Sequence, residues 1–266
     1  MSAAVCPAAA VGHTAEVKPA QGESVLSRVV RIFETFGPDT PALRVTDIAR
    51  RADLPVATAS RLIEELVGYG WLRRDPDRRV RVGVRLWELA SRASPTLGLR
   101  EAAMPFMEDL HAVVGHHTQL AVLEDREVLF VERLSAPGAV LNVTRVAGRL
   151  PLHASSSGLV LLAHAPADLQ EQVLAGPLPA FRRTTLTEPA RLRRFLADVR
   201  RTGYAFCAGF IDEEATGIAV PLRGPGGDVV AALSVIVPND RAARTQIPAL
   251  RAAARGISRA MGNSSQ

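Results

Sequence analysis

Arg73, Arg74, Arg78, Arg79 and Arg81 fall within nine residues, interrupted by Asp75-Pro76-Asp77. Guanidinium groups at that density on a turn can lie along phosphates, and phosphate contacts add affinity and salt dependence without sequence information. Just upstream, Thr46 and the run Val56, Ala57, Thr58, Ser60 and Arg61 offer small or hydroxyl side chains and one cation. Those are groups that can approach base edges. A second cluster lies at Ser155-Ser156-Ser157, behind His153 and the loop Ala147-Gly148-Arg149-Leu150. Hydroxyls at a helix start suit an anion, because the first N–H groups of a helix point outward unpaired. The competing readings are an arginine-decorated solvated turn and an ordinary helix cap with surface polarity.

Other chemistries find less support. His116 and His117 are adjacent, so they point to different faces, and no Cys, Asp or Glu stands at ligand spacing; no metal site is expected. His153 near the serines could suggest Ser-His catalysis, but the chain has no Gly-x-Ser-x-Gly elbow. Asp212-Glu213-Glu214 falls in an expected loop and reads as solvated. No phosphate-cradling or dinucleotide fingerprint is present, so no cofactor and no enzymatic activity are expected. Cys6 and Cys207, the two cysteines, have neither metal spacing nor partners for a disulfide framework, and a reducing cytoplasm is expected.

The elements that must hold these residues follow from periodicity. "SVLSRVVRIFETF" places Val25, Val29, Ile32, Phe33 and Phe36 on one helical face. "VTDIARRADLP" turns Ile48, Ala49 and Ala52 inward and stops at Pro55. The next helix turns Ala59, Leu62, Ile63 and Leu66 inward, and "GWLRRDPDRRVRVG" reads as a hairpin with Pro76-Asp77 in its turn. Two short helices joined by a tight turn and followed by a basic hairpin form a winged helix-turn-helix, whose second helix enters the major groove. "VGVRLWELASRASPTLGLREAAMPFMEDLHAVVG" reads as two helices broken near "SPTLG".

From Thr118 the pattern turns to strands: "TQLAVLE", "EVLFVERL" and "AVLNVTRV", later "YAFCAG", "TGIAVPLRG" and "VVAALSVIVP". Helices at 154–163, 167–174, 189–202 and 243–261 are interspersed, which fits an α+β sheet domain. The charge supports this division. Residues 24–97 hold 13 Arg against 9 acids, and residues 98–266 hold 18 against 16. Nearly all the base is arginine, Lys18 being the one lysine. No run of apolar residues is long enough to span a membrane. The first residues lack a basic start before an apolar stretch and read as a disordered tail. The expected organisation is a tail (1–23), a winged helix-turn-helix (24–83), a linking helix (84–97) and a ligand domain (98–266).

With these motifs in order, the chain resembles the IclR-type bacterial transcription regulators. The likeness runs from "TDIARRADLPVATASRLIEELVGYGWLRRDPDRRVRVGVRLWELA" through "GRLPLHASSSGLVLLA" and "RRTGYAF" to "IAVPLRGPGGDVVAALSVIVP". It implies a GAF-like effector-binding second domain, a linking helix, and homodimers or homotetramers on palindromic operator DNA. It also implies a small-molecule effector, an organic or aromatic acid, held by Ala147, Gly148, Leu150, Ser155, Cys207, Gly217, Ser234 and Ile236. The family often has Lys-Ser where this chain has Val56-Ala57, which shifts readout toward thymine methyl contact and toward Thr58, Ser60 and Arg61. Cys207, Gly217 and Ile236 replace more polar family residues, which points to a less polar or larger effector than a two-carbon acid. The expected function is a ligand-responsive, sequence-specific regulator, a repressor rather than an activator. The alternatives are a ligand-binding or catalytic domain with a vestigial helix-turn-helix, and a non-specific architectural DNA binder.

Overall fold

The computed structural model describes residues 23–37, 39–93 and 95–263; the expected tail up to residue 22, with Cys6, lies outside them. The described residues up to Ala93 form one compact unit and those from Pro95 a second.

In the first unit, Ser24 opens α1 (Val25–Glu34) by accepting the Ser27 N–H at 3.0 Å. Ile32 of α1 is fully buried, with Val29, Phe33 and Phe36 packed beside it. Val25, assigned to that face from periodicity, is exposed, as are Leu26 and Val30. α2 (Val45–Arg51) is a helix of seven residues. The turn into α3 (Val56–Gly68) is made by Asp53 at φ 50°, with the Leu54 N–H reaching back to Ala49 O at 2.9 Å. Pro55 sits at the N-cap of α3, where its missing N–H costs nothing. Ile48, Ala49, Ala52, Ala59, Leu62, Ile63 and Leu66 close the core as their spacing required.

The hairpin pairs β1 (Leu72–Arg74) with β2 (Val80–Val82), Leu72 facing Val82 and Arg74 facing Val80. Leu72 and Val80 turn into the core, and Leu43 bridges to Val80, tying the chain before α2 to the wing. A side chain on Gly83 would collide with the Gly70 backbone, so only glycine lets the wing close over the exit of α3. α4 (Val84–Ala93) follows, with Val84, Trp87 and Leu89 exposed.

The second unit is a six-stranded antiparallel sheet in the order β5-β4-β3-β8-β7-β6. Its strands are β3 (His117–Glu124), β4 (Glu127–Leu134), β5 (Arg149–Pro151), β6 (Ala205–Ala208), β7 (Ala215–Arg223) and β8 (Val229–Pro238). One face carries α5 (Pro95–Val114) and α9 (Ile247–Asn263) over Leu120, Ile218, Val220, Leu233 and Val235. The other carries α6 (Ser156–His164) and α8 (Pro189–Thr202) over Ala121, Phe130, Ala219 and Ala232, while α7 (Ala167–Ala175) packs against both helices. Strand residues alternate between these faces with the period of two that a sheet imposes. The architecture is α+β.

Two expectations differ in detail. The closing helix is preceded by a 3-10 turn, Arg241–Gln246, because Asp240 accepts both the Ala242 and Ala243 N–H groups and Pro248 lacks an N–H for the helical ladder. "AVLNVTRV", residues 139–146, is not a strand. β5 takes the open edge of β4, and the Asn142 side-chain oxygen Oδ1 accepts the Thr144 N–H, a local bond that competes with ladder pairing.

Candidate DNA interface and effector pocket

The residues expected to read DNA gather at the start of α3 and on the wing. Val56, Ala57 and Arg61 are exposed, Thr58 and Ser60 half-buried, and Thr46 is exposed on the first turn of α2. Arg61 rests on Glu65 at 3.0 Å, an exposed pair one helical turn apart. The wing arginines are more committed than their count suggests. Arg74 pairs with Glu64, Arg73 and Arg81 with Asp75, and Arg79 with Asp77 at 3.2 Å. Among the described residues no acid pairs with Arg78, which occupies the turn at φ 64°. The pairs of Arg74 with Glu64 and Arg79 with Asp77 are exposed and contribute about 0–1 kcal/mol each, so phosphates can displace those acids at small cost, whereas Asp75 is more enclosed.

The second unit builds its site from a row across the sheet. Register places His117, Ile236, Gly217 and Cys207 side by side on β3, β8, β7 and β6, with Gln119 and Ser234 in the next row. Ile236, Gly217, Cys207 and Gln119 floor a cavity of about 470 Å³, a volume that includes open solvent at its mouth. The start of α6 roofs it with Ala154, Ser155, Ser156 and Ser157. Segment 141–144 walls the β3 side, and Phe210, Ile211 and Asp212 wall the β6 side. Phe210 is held by Phe195 at 6.1 Å between ring centroids and by Thr185, whose hydroxyl donates to its carbonyl at 2.6 Å.

Hydrogen bonds fix which groups face the cavity. Ser155 caps α6 by accepting the Gly158 N–H at 3.0 Å. The Ser156 and Ser157 N–H groups have no intrahelical acceptor, as for any first turn. Ser157 Oγ donates to Ser234 Oγ at 2.9 Å, which donates to Gln119 Oε1 at 3.4 Å; Gln119 Nε2 donates to Thr144 Oγ1. Thr144 then gives both its N–H and its hydroxyl to Asn142 Oδ1, at 3.0 and 2.7 Å. With Asn142 Oδ1 taken twice, its amide nitrogen is the group left over: it is enclosed and has no partner. His117 Nε2 donates to Val140 O at 2.6 Å, and Arg133 donates to Thr144 O, so side chains of β3 and β4 pin the segment in place of a ladder. Burial holds the His117 imidazole below its ordinary 6.5, with the nearby Arg133, His116 and His111 acting in the same direction.

Of the residues expected in this site, Leu150, Ser155, Cys207, Gly217 and Ile236 line the cavity, and Ser234 lies directly behind it. Ala147 and Gly148 do not line it; they make the turn into β5, Ala147 at φ 62° with its N–H on Phe130 O. Burial pushes the Cys207 thiol far above the usual thiol range, so it stays protonated and acts as a small apolar wall. His153 donates to Pro179 O at 3.0 Å and does not face the serines as a base.

Residues 92–261 match the family described as bacterial transcriptional regulator IclR, C-terminal, and residues 25–76 match the IclR helix-turn-helix domain. The chain belongs to the IclR family. An IclR homologue from Microbacterium hydrocarbonoxydans, solved in complex with 4-hydroxybenzoate, is 52% identical. The match covers 90% of this chain and 99% of that one, with a TM-score of 0.87. Among named IclR-family regulators, BhcR of Paracoccus denitrificans is 30% identical across 86% of this chain and 82% of its own. XynR of Escherichia coli is 27% identical across 89% and 96%. The protein is thus a helix-turn-helix transcriptional regulator with an effector-binding domain. Among the described residues no helix is long and apolar enough to cross a membrane, and none of them form a metal-holding cluster.

Sequence reasoning missed Asn142, Gln119 and Asp212. Gln119 carried a signal, a polar residue amid the apolar positions of β3, since a buried amide must find partners. Asn142 was hidden by reading its segment as a strand, and Asp212 by grouping it with Glu213 and Glu214, which are exposed.

Proposed function

We propose that this regulator binds palindromic operator DNA as a homodimer or homotetramer and releases it when a small aromatic carboxylic acid, of the 4-hydroxybenzoate type, fills the cavity beneath α6. The observation that carries the effector reading is the unpartnered Asn142 amide and the first-turn N–H groups of Ser156 and Ser157, on the walls of a cavity lined largely by apolar residues. Donors grouped at a helix start favour a carboxylate. Phe130, Leu150, Cys207, Phe210 and Ile236 suit a ring in place of a two-carbon acid. The 52% identity to a homologue complexed with 4-hydroxybenzoate supports the same class.

On DNA, Val56, Ala57, Thr58, Ser60 and Arg61 read base edges, with Thr46, Arg73, Arg74, Arg78, Arg79 and Arg81 on the backbone. The exposed face of α4, with Val84, Trp87 and Leu89, pairs two reader units. The protein acts in the cytoplasm as a binder and not a catalyst; its named relatives are regulators, and AllR of Escherichia coli, 28% identical, is named as a repressor. The test is a mobility shift of the purified protein on the intergenic DNA upstream of its own gene, with random DNA as control. A specific shift relieved by 4-hydroxybenzoate supports the reading; equal binding to random DNA, or no shift, overturns it.

A further inference from the structure

The cavity has a second polar end that the carboxylate does not use. Segment 141–144 links β4 to β5 and is pinned to β3, whereas Asp212 lies on the link from β6 to β7. In the sheet β3 and β6 are separated by β8 and β7, so the two walls stand across roughly 14 Å, three strand spacings. That distance accommodates a para-substituted benzene ring with a hydrogen bond at each end. The β3 end presents the Asn142 amide, a donor; the first turn of α6 lies on the roof, Ser156 over Gly217 of β7 and Ser157 bonded to Ser234 of β8. The β6 end presents the half-buried carboxylate of Asp212, an acceptor. One Asp212 oxygen, Oδ1, accepts the Glu214 N–H at 2.9 Å, and among the described residues no cation pairs with the carboxylate.

We propose that Asp212 sets effector specificity: it accepts a hydrogen bond from a hydroxyl carried at the ring position opposite the carboxylate. The inference rests on the aromatic-acid reading above and adds the orientation and the discriminating group. A carboxylate effector is repelled by Asp212 and met by the Asn142 amide, so its charge goes to the β3 end and its far substituent meets Asp212. A hydroxyl there donates to a charged acceptor, one of the stronger hydrogen bonds available. Benzoate leaves Asp212 facing apolar carbon, and a methoxy group sets an oxygen against the carboxylate. Sites built around a donor reject analogues that lack it far better than apolar pockets reject a methylene.

Asp212→Asn tests this without changing shape. Glu214 N–H holds Oδ1, so the new amide nitrogen takes the place of the free oxygen, and an acceptor becomes a donor. Titration calorimetry on the full-length wild type and variant would use benzoate, 4-hydroxybenzoate and 4-methoxybenzoate. The wild type is expected to bind 4-hydroxybenzoate at least tenfold tighter than either analogue. In the variant the preference for hydroxy over methoxy is expected to shrink to within about threefold or reverse, whatever the absolute affinities. Wild-type binding of all three acids within twofold of one another, or an unchanged hydroxy-to-methoxy ratio in the variant, overturns the role of Asp212 while leaving the aromatic-acid reading intact. Binding of none of the three by the wild type overturns that reading and this one with it.

Discussion

Gly217 is where the space for an effector can be removed by a single methyl group. It is not among the glycines of positive φ, so alanine meets no backbone strain there. A Cβ would stand 2.8 Å from Ser156 Oγ and 3.4 Å from both Ser156 Cβ and Ile236 Cδ1. The oxygen contact is too short by a few tenths of an ångström, so Ser156 must turn away or the first turn of α6 must shift. Overpacking of this order costs about 1–3 kcal/mol. In the free protein the strained serine can relax into the cavity; with an effector bound that space is filled, and the cost falls on the complex.

Gly217→Ala is therefore expected to weaken 4-hydroxybenzoate binding by roughly 5- to 150-fold, the same 1–3 kcal/mol expressed as affinity. Calorimetric titration measures the loss, and thermal unfolding of the effector-free chain measures what the methyl does to the fold. The free variant should melt within about 4 °C of wild type, the shift that ~1 kcal/mol produces at this size. Unchanged affinity would show that the effector does not use the space beside Ser156. A drop in melting temperature large enough to account for the whole loss would show that the methyl damages the domain and not the site.

Arg78→Ala should lower the slope of log affinity for operator against log salt by about one unit, whereas Arg79→Ala should lower it less, because Asp77 already neutralises Arg79; equal changes would refute the weight given to that pairing. Trp87→Ala in the full-length chain should weaken self-association in sedimentation, since it removes a side chain 68% exposed on α4; an unchanged dissociation constant would place the dimer contact elsewhere. His117 is held neutral in the folded state while the unfolded chain takes up its proton below the ordinary 6.5, so its contribution to stability is complete above pH 6.5 and is lost as pH falls toward the lowered folded value. His117→Gln, which keeps a donor for Val140 O and cannot titrate there, should show a shallower fall of melting temperature between pH 6.5 and 5; parallel curves would contradict this.

The reader unit was legible almost residue by residue, because most of its buried positions answer to a helical or strand period and its turns to Pro55 and Pro76; Leu43, buried before α2, does not. Val25 shows the limit. Periodicity says which side of a helix is apolar, not how far the partner helix extends along it. In the second unit the strands were legible as apolar runs, whereas Ile236, Gly217 and Cys207 came from the resemblance to the family and not from their spacing. What spacing could not give is segment 139–146. Its apolar residues suit a strand, but its backbone is held by His117 and Arg133 and its Thr144 hydroxyl by Gln119, side chains brought to it from other elements. The same blindness applies to the wing. Five arginines in sequence read as free cations, and only the folded hairpin shows that Asp75, Asp77 and Glu64 already hold four of them.

The polar chain from α6 to segment 139–146 also bears on what kind of molecule can bind tightly. Ser157, Ser234, Gln119, Thr144 and Asn142 belong to four separate pieces of chain, and every link between them is buried or half-buried. The chain satisfies each member in turn and ends on one donor that nothing in the protein meets. An enclosed amide donor without a partner costs about 1–3 kcal/mol. A purely apolar ligand of the right size would fill the cavity and leave that cost in place, or raise it by excluding any water that could reach the amide. An acceptor such as a carboxylate that reaches the amide would remove it. Apolar ring surface therefore sets how much of the cavity is filled, but the acceptor decides whether filling it is favourable, and toluene should bind far more weakly than benzoate despite its similar size.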